Sequence, residues 1–309
     1  MIQKTARKVV QIAKLIYTPL SFTFIAYFAW VNRALLLKMA LLADWQIIFL
    51  SVLTWCILHL LSPLLTKITL HLLNFKFSYP CLLGIYISRL PARYLPGGVW
   101  HTVGRLADYH HHGIGKKQLT LLAVIETFLP AFITFFIGGG YLWLSGAASF
   151  IKPIEGILAL TSFFLLLTCP LLLNYIPKEQ PEEKYVYYFQ LILASGLFWI
   201  IASISFVFYY SSLSLNLPKN SLATIAATYI FSWGIGYVSI FAPQGIGIFE
   251  LVAGKLLTLP MNLGGAIAFL AGFRIVVLLA DCLTWGIYNC VRFSIVRVGK
   301  PRNINTRKA

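Results

Sequence analysis

Long runs of apolar residues, separated by short polar segments, make up most of the chain. A membrane-spanning helix needs about 20 consecutive, predominantly apolar residues. Runs of this kind predict about six full spans, over 15–31, 45–65, 119–146, 153–175, 187–211 and 264–291. The pattern therefore predicts an all-α, polytopic membrane protein.

Two further apolar stretches, 80–105 and 221–259, are too broken to form single spans. The first contains Pro91 and Pro96-Gly97-Gly98, and the second contains the segment FAPQGIGIFE at 241–250. Proline removes a helical hydrogen bond and glycine frees the backbone. In hydrocarbon, such backbone survives only inside protein or beside a water-filled cavity. Each stretch is therefore predicted to be a helical hairpin, either re-entrant or spanning, with its break at the tip.

The order of these elements is the same in the two halves of the chain, about 15–146 and 153–291. Each half contains two spans, a broken hairpin and another span. Because three full crossings precede the second half, it enters the membrane in the opposite orientation. Inverted repeats with corresponding broken segments are typical of transporters with a site near the bilayer midplane. Coincidence of proline and glycine breaks is the alternative.

The composition supports a membrane protein and excludes a soluble catalytic domain. Hydrophobic residues make up 59% of the chain and charged residues 11%, whereas soluble domains carry about 25% charged residues. The five cysteines lie in apolar segments without a CxxC pair, so no disulfide framework or zinc site is predicted. The run His110-His111-His112 is predicted to be a solvated loop. Neither a metal nor a cofactor is expected.

The charge pattern predicts the orientation. Lys and Arg outnumber Asp and Glu by 25 to 9. With a cytoplasmic N-terminus, the inside segments carry 17 Lys and Arg and the outside segments, including 32–44, carry 5. The positive-inside rule then places the basic segments 1–14 and 292–309 in the cytoplasm, on either side of one transmembrane domain, 15–291, in the plasma or inner membrane. Basic residues scattered over short loops do not indicate nucleic-acid binding.

The first predicted hairpin tip has the chemistry of an anion site. A broken helix exposes unpaired N–H groups at the start of its second arm, where the helix dipole also attracts an anion. Arg89 and Arg93 precede Pro96-Gly97-Gly98, and Arg105 follows it. A guanidinium group matches phosphate geometry bidentately. These residues predict a cradle for a phosphate or phospholipid head group; the alternative is that the arginines extend to the interface and pair with acids.

The second tip and the remaining intramembrane charges are also candidates. Pro243, Gly245 and Gly247 lead to Glu250. Ionisable residues at membrane depth are costly and are functional candidates by default. The others are Glu126, within LLAVIETFLPAF, and Arg274 and Asp281, which are seven residues apart and share a helix face. The alternative is a structural network, with Arg274–Glu250 or Arg105–Glu126 as pairs.

These motifs resemble the transmembrane region of lysylphosphatidylglycerol synthases, a flippase-like membrane family. The resemblance rests on YLPGGVWHTVGR, an intramembrane glutamate and then APQGIGIFE, and it covers roughly 10–295. It implies an inverted-repeat bundle with two re-entrant hairpins that moves a modified phospholipid or polyprenyl-linked lipid between leaflets. The matching residues are Pro96, Gly97, Gly98, Arg105, Glu126, Pro243, Gly245, Gly247 and Glu250.

Two departures from the family pattern occur at the second tip. Gln244 stands where a glycine is common, and Phe249 stands where a basic residue often precedes the glutamate. Both put anion binding at this tip in doubt. No synthase domain follows Arg292, so this chain alone is not expected to aminoacylate a lipid.

The sequence therefore predicts a translocase for an anionic phospholipid or a polyprenyl-phosphate-linked lipid. Arg89, Arg93 and Arg105 contact phosphate in this hypothesis, and Glu250 and Glu126 balance charge or bind a proton. The main alternative is a membrane-embedded enzyme that transfers a sugar or phosphate group from a polyprenyl carrier. Its candidate acids are Asp44, Asp108, Glu179, Glu182 and Glu183. A third hypothesis is an accessory subunit that works with partner enzymes of lipid or polysaccharide modification.

Overall fold

The computed structural model describes residues 23, 26–27, 29–94, 100–145, 151–172, 183–213, 221–239, 242, 245–257, 259 and 261–298. These residues form eleven α-helices, a 3₁₀ turn at Leu90–Tyr94 and a π-helical segment at Phe135–Gly139. The helices are α1 Arg33–Leu42, α2 Trp45–Leu72, α3 Tyr79–Ser88, α4 Trp100–His111, α5 Lys116–Thr134, α6 Gly140–Leu144, α7 Lys152–Leu172, α8 Lys184–Ser212, α9 Leu222–Val238, α10 Ile248–Leu256 and α11 Leu263–Val298.

Five helical stretches are long and apolar enough to cross a membrane, so the chain is an all-α membrane protein. They are Trp45–Leu72, Lys116–Leu144, Lys152–Leu171, Lys184–Ser212 and Leu263–Phe293. Each corresponds to one predicted span, whereas most of the span predicted over 15–31 lies outside the described residues. Large apolar side chains cover the outer faces; Phe164 and Ile275, for example, are each 61% exposed. Such extensive apolar surface fits lipid better than water.

Several predicted loop boundaries are wrong. The segment 32–44 was predicted to be an outside loop, but most of it forms α1, because RALLLKMALL contains no helix breaker. The helix α4 continues through His110 and His111, which were predicted to lie in a loop. The helix ends at His111, and Gly113, two residues later, has a φ of +91°, which suits a glycine after a helix C-terminus.

Both predicted hairpins consist of two short helices around a break. The first pairs α3 with α4 across the 3₁₀ turn, and the second pairs α9 with α10. Gly245 and Gly247 have positive φ angles, +65° and +87°, immediately before α10. Glycine adopts this conformation without the steric cost that other residues carry, so these positions explain why α9 and α10 are separate helices.

Prolines inside the spanning helices free backbone carbonyls, and tyrosine hydroxyls satisfy two of them. A proline has no N–H to bond the carbonyl four residues earlier. Pro130 frees the Glu126 carbonyl, which accepts a hydrogen bond from the Tyr237 hydroxyl at 3.2 Å. Pro170 frees the Leu166 carbonyl, which accepts one from the Tyr188 hydroxyl at 2.7 Å. These bonds tie neighbouring helices together where each helix is weakest.

The helices α2 and α8 pack against each other antiparallel along their length. At their ends, the Asp44 N–H donates to the Ser212 carbonyl at 2.8 Å. Within the contact, the Ser51 hydroxyl donates to the Ser205 carbonyl at 2.7 Å, and the Ser205 hydroxyl donates to the Ser51 carbonyl at 2.8 Å. This reciprocal pair holds α2 and α8 together as the central element on which α3, α5, α9 and α11 pack.

Gly138, in the π-helical segment, allows α9 to approach closely. A Cβ atom added at Gly138 would lie 2.7 Å from the backbone nitrogen of Phe231 and 2.9 Å from the carbonyl oxygen of Ala227. Glycine at such contacts is a common basis of helix association in membranes. Because Gly138 has no Cβ, α9 and the π-helical segment can lie this close together.

We expect Gly138→Ala to lower the stability of the protein, because the added methyl group forces the two backbones apart. Overpacking of this kind costs about 1–3 kcal/mol. Gly286→Ala is the matched control, since nothing lies within 4 Å of an added Cβ there. Thermal unfolding of both variants in detergent measures the difference; equal melting temperatures would contradict this account of the contact.

Candidate functional site

The centres of both predicted tips fall partly outside the described residues. Pro96, Gly97 and Gly98 are not described, nor are Pro243 and Gln244. The ionisable residues on either side of each break are described. Their contacts therefore define the candidate site.

A buried carboxylate on α11 anchors the first arm of the first hairpin. Asp281 is 2% exposed, and its Oδ1 lies 2.9 Å from Nε2 of His59, on α2. Its Oδ2 lies 3.3 Å from Nη1 of Arg93 and accepts a hydrogen bond of 3.0 Å from the Tyr94 hydroxyl. Asp281 thus joins a spanning helix to the 3₁₀ turn that precedes the break.

A second ion pair anchors the arm that follows the break. Arg105, on α4, donates from Nη2 to Oε2 of Glu126, on α5, at 3.0 Å. Thr66, on α2, donates to the other carboxylate oxygen at 2.6 Å and accepts from Nη1 of Arg105 at 3.3 Å. The arginine is only 9% exposed. Three elements of the bundle therefore meet at one largely buried charge pair.

Tyr86 connects the two ion pairs. Its hydroxyl accepts a hydrogen bond of 2.7 Å from Arg93, and the guanidinium groups of Arg93 and Arg105 lie 5.7 and 5.8 Å from its ring centroid. These are cation–π distances. The ring of His101 packs edge-on against Tyr86 at 5.2 Å.

We call this group the Tyr86 cluster. It contains two arginines, two carboxylates and two histidines, so its formal charge is zero when the histidines are neutral. Four buried nitrogens in it form no hydrogen bond of good geometry: Nδ1 and Nε2 of His59, Nε2 of His101 and Nε of Arg105. The members are His59, Thr66, Tyr86, Arg93, Tyr94, His101, Arg105, Glu126 and Asp281.

The second hairpin carries a separate and more self-contained pair. Glu250 is completely buried, and its Oε1 accepts from Nε of Arg274 at 2.5 Å. Its Oε2 accepts from the Gly247 N–H at 2.7 Å. A carboxylate that bonds the first N–H groups of a helix acts as a cap. Glu250 therefore occupies part of the N-terminus of α10, at the second tip, where the departures from the family pattern put anion binding in doubt.

Arg89 differs from the other two arginines of the first hairpin. It donates from Nε and Nη2 to the two carboxylate oxygens of Asp108, at 2.7 and 2.6 Å. Its side chain is 44% exposed. Arg89 lines an open cleft with His111, His112, Tyr288 and Arg292 rather than the buried cluster.

The structure thus groups the described candidates into three sets. Arg93, Arg105, Glu126 and Asp281 meet in the Tyr86 cluster, Glu250 meets Arg274 beside Gly247, and Arg89 meets Asp108. The two pairs of the structural-network alternative, Arg274–Glu250 and Arg105–Glu126, are both present. Although Arg274 and Asp281 share α11, they pair with different hairpins.

Sequence reasoning missed two buried histidines of the Tyr86 cluster. His59 lies inside the predicted span 45–65, and His101 lies inside the predicted hairpin 80–105. The same rule that identified Glu126 and Asp281, an ionisable residue at membrane depth, selects both. The aromatic partners Tyr86 and Tyr94 carry no comparable signal, because tyrosine is frequent throughout the chain.

The acids named for a membrane-embedded transferase are not grouped among the described residues. Asp44 caps α2 by accepting from the Gln46 and Ile47 N–H groups. Asp108 pairs with Arg89, and Glu183 is exposed beside the start of α8. Glu179 and Glu182 lie outside the described residues. Within the described ranges, no group of three or more His, Cys, Asp or Glu side chains is placed to hold a metal ion.

Comparison with models of known protein families finds no match, and comparison with curated proteins finds none either. The resemblance to lysylphosphatidylglycerol synthases thus rests on the residue patterns alone. Function has to be argued from the site itself.

We expect Arg105→Ala to destabilise the protein far more than Arg89→Ala. Removing Arg105 leaves the largely buried Glu126 carboxylate without its opposite charge, and breaking a buried pair in this way costs about 3–5 kcal/mol. The Arg89–Asp108 pair is exposed, and exposed pairs contribute about 0–1 kcal/mol. Thermal unfolding in detergent compares the two variants.

A second substitution checks the cause of that loss. Adding Glu126→Gln to Arg105→Ala removes the unpaired charge and should recover part of the stability. No recovery would show that the Arg105 side chain acts through packing rather than through its charge.

Proposed function

We propose that this protein translocates an anionic lipid and binds its phosphate group at the Tyr86 cluster. The observation that carries the proposal is the pair of arginines on either side of the first hairpin break, Arg93 partly buried and Arg105 buried, which face one tyrosine. The substrate is an anionic phospholipid or a polyprenyl-phosphate-linked lipid. Arginine suits this role because its planar group binds phosphate oxygens bidentately.

Burying the charged groups of the Tyr86 cluster costs free energy, which argues that the cluster has a role beyond stability. Ion pairs in a low-dielectric interior often stabilise no better than apolar residues of the same size, and charges within a membrane are more costly still. Nε2 of His101 and Nε of Arg105 are buried nitrogens without partners. In the tautomer of His101 that carries its proton on Nε2, this nitrogen is a hydrogen-bond donor. Nε of Arg105 is also a donor, so both nitrogens suit the acceptor oxygens of a phosphate.

The packing of the helices supports an inverted repeat as the framework of this function. α2 and α8 contain 28 and 29 residues and run antiparallel. Each packs on the first arm of the broken hairpin that follows it, α3 or α9. Each also contacts the long helix of the other half, since α11 packs on α2 and α5 packs on α8. Such equivalence is what a two-fold axis between α2 and α8 produces.

The repeat suggests how a bound lipid crosses the membrane. Transporters built from inverted repeats alternate access to a fixed site by moving one unit against another. Here the Tyr86 cluster joins the first hairpin to α2, α5 and α11. We also propose that the protein lies in the cell membrane with both termini in the cytoplasm. The orientation is inferred from the distribution of Lys and Arg.

Native mass spectrometry of the protein purified in mild detergent tests the proposal. We expect the wild-type protein to retain an anionic phospholipid or a polyprenyl phosphate, and Arg93→Gln to lose it, because the variant lacks one guanidinium of the site. Arg33→Gln is the matched control, since Arg33 stacks on Trp30 at an exposed position. The lipid identified is then reconstituted in vesicles with a fluorescent label to measure its movement between leaflets.

Retention of bulk lipid alone, unchanged by Arg93→Gln, would contradict the proposal and leave the cluster a structural role. Turnover of a lipid-linked sugar by the purified protein would favour the transferase hypothesis instead. Stable co-purification with a partner, together with no lipid movement by the chain alone, would favour an accessory subunit.

A further inference from the structure

His59 belongs to the Tyr86 cluster, lies within a spanning helix and has a buried ring nitrogen, Nδ1, that no hydrogen bond satisfies. It lies near the middle of α2 and is 1% exposed. Nε2 lies 2.9 Å from Oδ1 of Asp281, although the two atoms are not aligned for a good hydrogen bond, and Nδ1 is buried without any hydrogen-bond partner. Buried polar atoms are normally paired. A neutral imidazole with its proton on Nε2 leaves a free lone pair on Nδ1, where a second proton binds.

The ionisable groups around His59 come from five elements besides its own helix. The turn before the break contributes Arg93 and Tyr94, α3 contributes Tyr86, α4 contributes His101 and Arg105, α5 contributes Glu126, and α11 contributes Asp281. The antiparallel partner α8 contains no Lys, Arg, His, Asp or Glu apart from Lys184, its first residue. No charge from α8 therefore enters the balance.

The formal charges of the groups around His59 sum to zero. Arg93 faces Asp281, and Arg105 faces Glu126. An anion that enters this environment adds one uncompensated negative charge to a region of low dielectric constant. Charge is costly to bury unless an opposite charge accompanies it. A proton is the smallest such charge. Asp281 and Glu126 are each paired with an arginine, so the two histidines are the neutral bases that remain to take it.

Asp281 links His59 to the arginine that would meet the anion. The carboxylate is shared between His59 at 2.9 Å and Arg93 at 3.3 Å. Once His59 carries a positive charge, it neutralises Asp281 more completely than a neutral imidazole does. The carboxylate then holds Arg93 less strongly, so the guanidinium turns from Asp281 to the phosphate. Protonation of His59 and binding of the anion therefore favour each other.

We infer that His59 takes up one proton when an anionic phosphate binds beside Arg93, so that the site loads a proton and an anion together. The proton comes from water, and an N–H bond forms at Nδ1 without any other bond breaking in the protein. This inference rests on the proposed function and deepens it, because it makes the lipid and a proton the joint substrates. Binding is then stronger at low pH and weakens as the pH rises.

Calorimetric titration of the purified wild-type protein with dioctanoyl phosphatidylglycerol tests the inference. A phosphodiester is the right probe because its phosphate does not titrate near neutral pH, so any proton taken up belongs to the protein. Titrations in two buffers of equal pH but different ionisation enthalpy give the number of protons bound per lipid. We expect about one proton per lipid, and an affinity that falls up to about tenfold per pH unit.

Two histidine variants locate the proton. His59→Gln keeps a polar side chain but cannot be protonated, so we expect the uptake to fall to about zero and the pH dependence to disappear. His71→Gln is the matched control, because His71 also lies on α2 but outside the Tyr86 cluster, and it should keep the uptake. Retention of the uptake in His59→Gln would overturn the assignment.

A third variant keeps the test decisive if His59→Gln does not fold. Asp281→Asn leaves the charge of Arg93 unbalanced, so an anion can bind without a proton, and uptake should again fall to about zero. Persistent uptake in this variant would contradict the inference. Wild-type binding without proton uptake would overturn the inference and leave the proposed function intact, whereas no wild-type binding at all would contradict the proposed function itself.

Discussion

Hydrocarbon offers no water to a charge or to an unpaired backbone group, so the protein has to satisfy each such group internally. Most of the described site follows from this constraint. Tyrosine hydroxyls bond the carbonyls that Pro130 and Pro170 set free. The Glu250 carboxylate bonds the N–H at the start of α10. Carboxylates on α5 and α11 face the arginines of the first hairpin, and these pairs fix the position of the hairpin against the spans.

The two broken hairpins meet the constraint in different ways. In the second, Glu250 lies on the hairpin itself and needs only Arg274 from outside. In the first, the arms carry the positive charges, and the carboxylates belong to the long helices. In the proposed function, an external anion competes with those carboxylates for Arg93 and Arg105. That proposal places the exchangeable ligand at the first hairpin, whereas the second hairpin pairs its own carboxylate.

Local rules predicted much of the fold because hydropathy and helix breaking act over short distances. Five helices long and apolar enough to cross a membrane lie where apolar runs predicted spans, and each predicted hairpin contains separate helices. The loop predicted at 32–44 was wrong because its polar residues, Arg33 and Lys38, do not break a helix. His59 and His101 were missed, although the cost of an ionisable group at membrane depth applies to them as it does to Glu126.

The sequence by itself determined the class of the protein, the places where its helices break and the presence of intramembrane charges, since each depends on neighbouring residues alone. The tertiary structure alone decided which charges meet. Arg93 and Asp281 are 188 residues apart, and Arg274 and Asp281 share one helix yet face different hairpins. Such pairing depends on how closely helices approach, which contacts such as Gly138 against Phe231 and Ser51 against Ser205 set only in the assembled bundle.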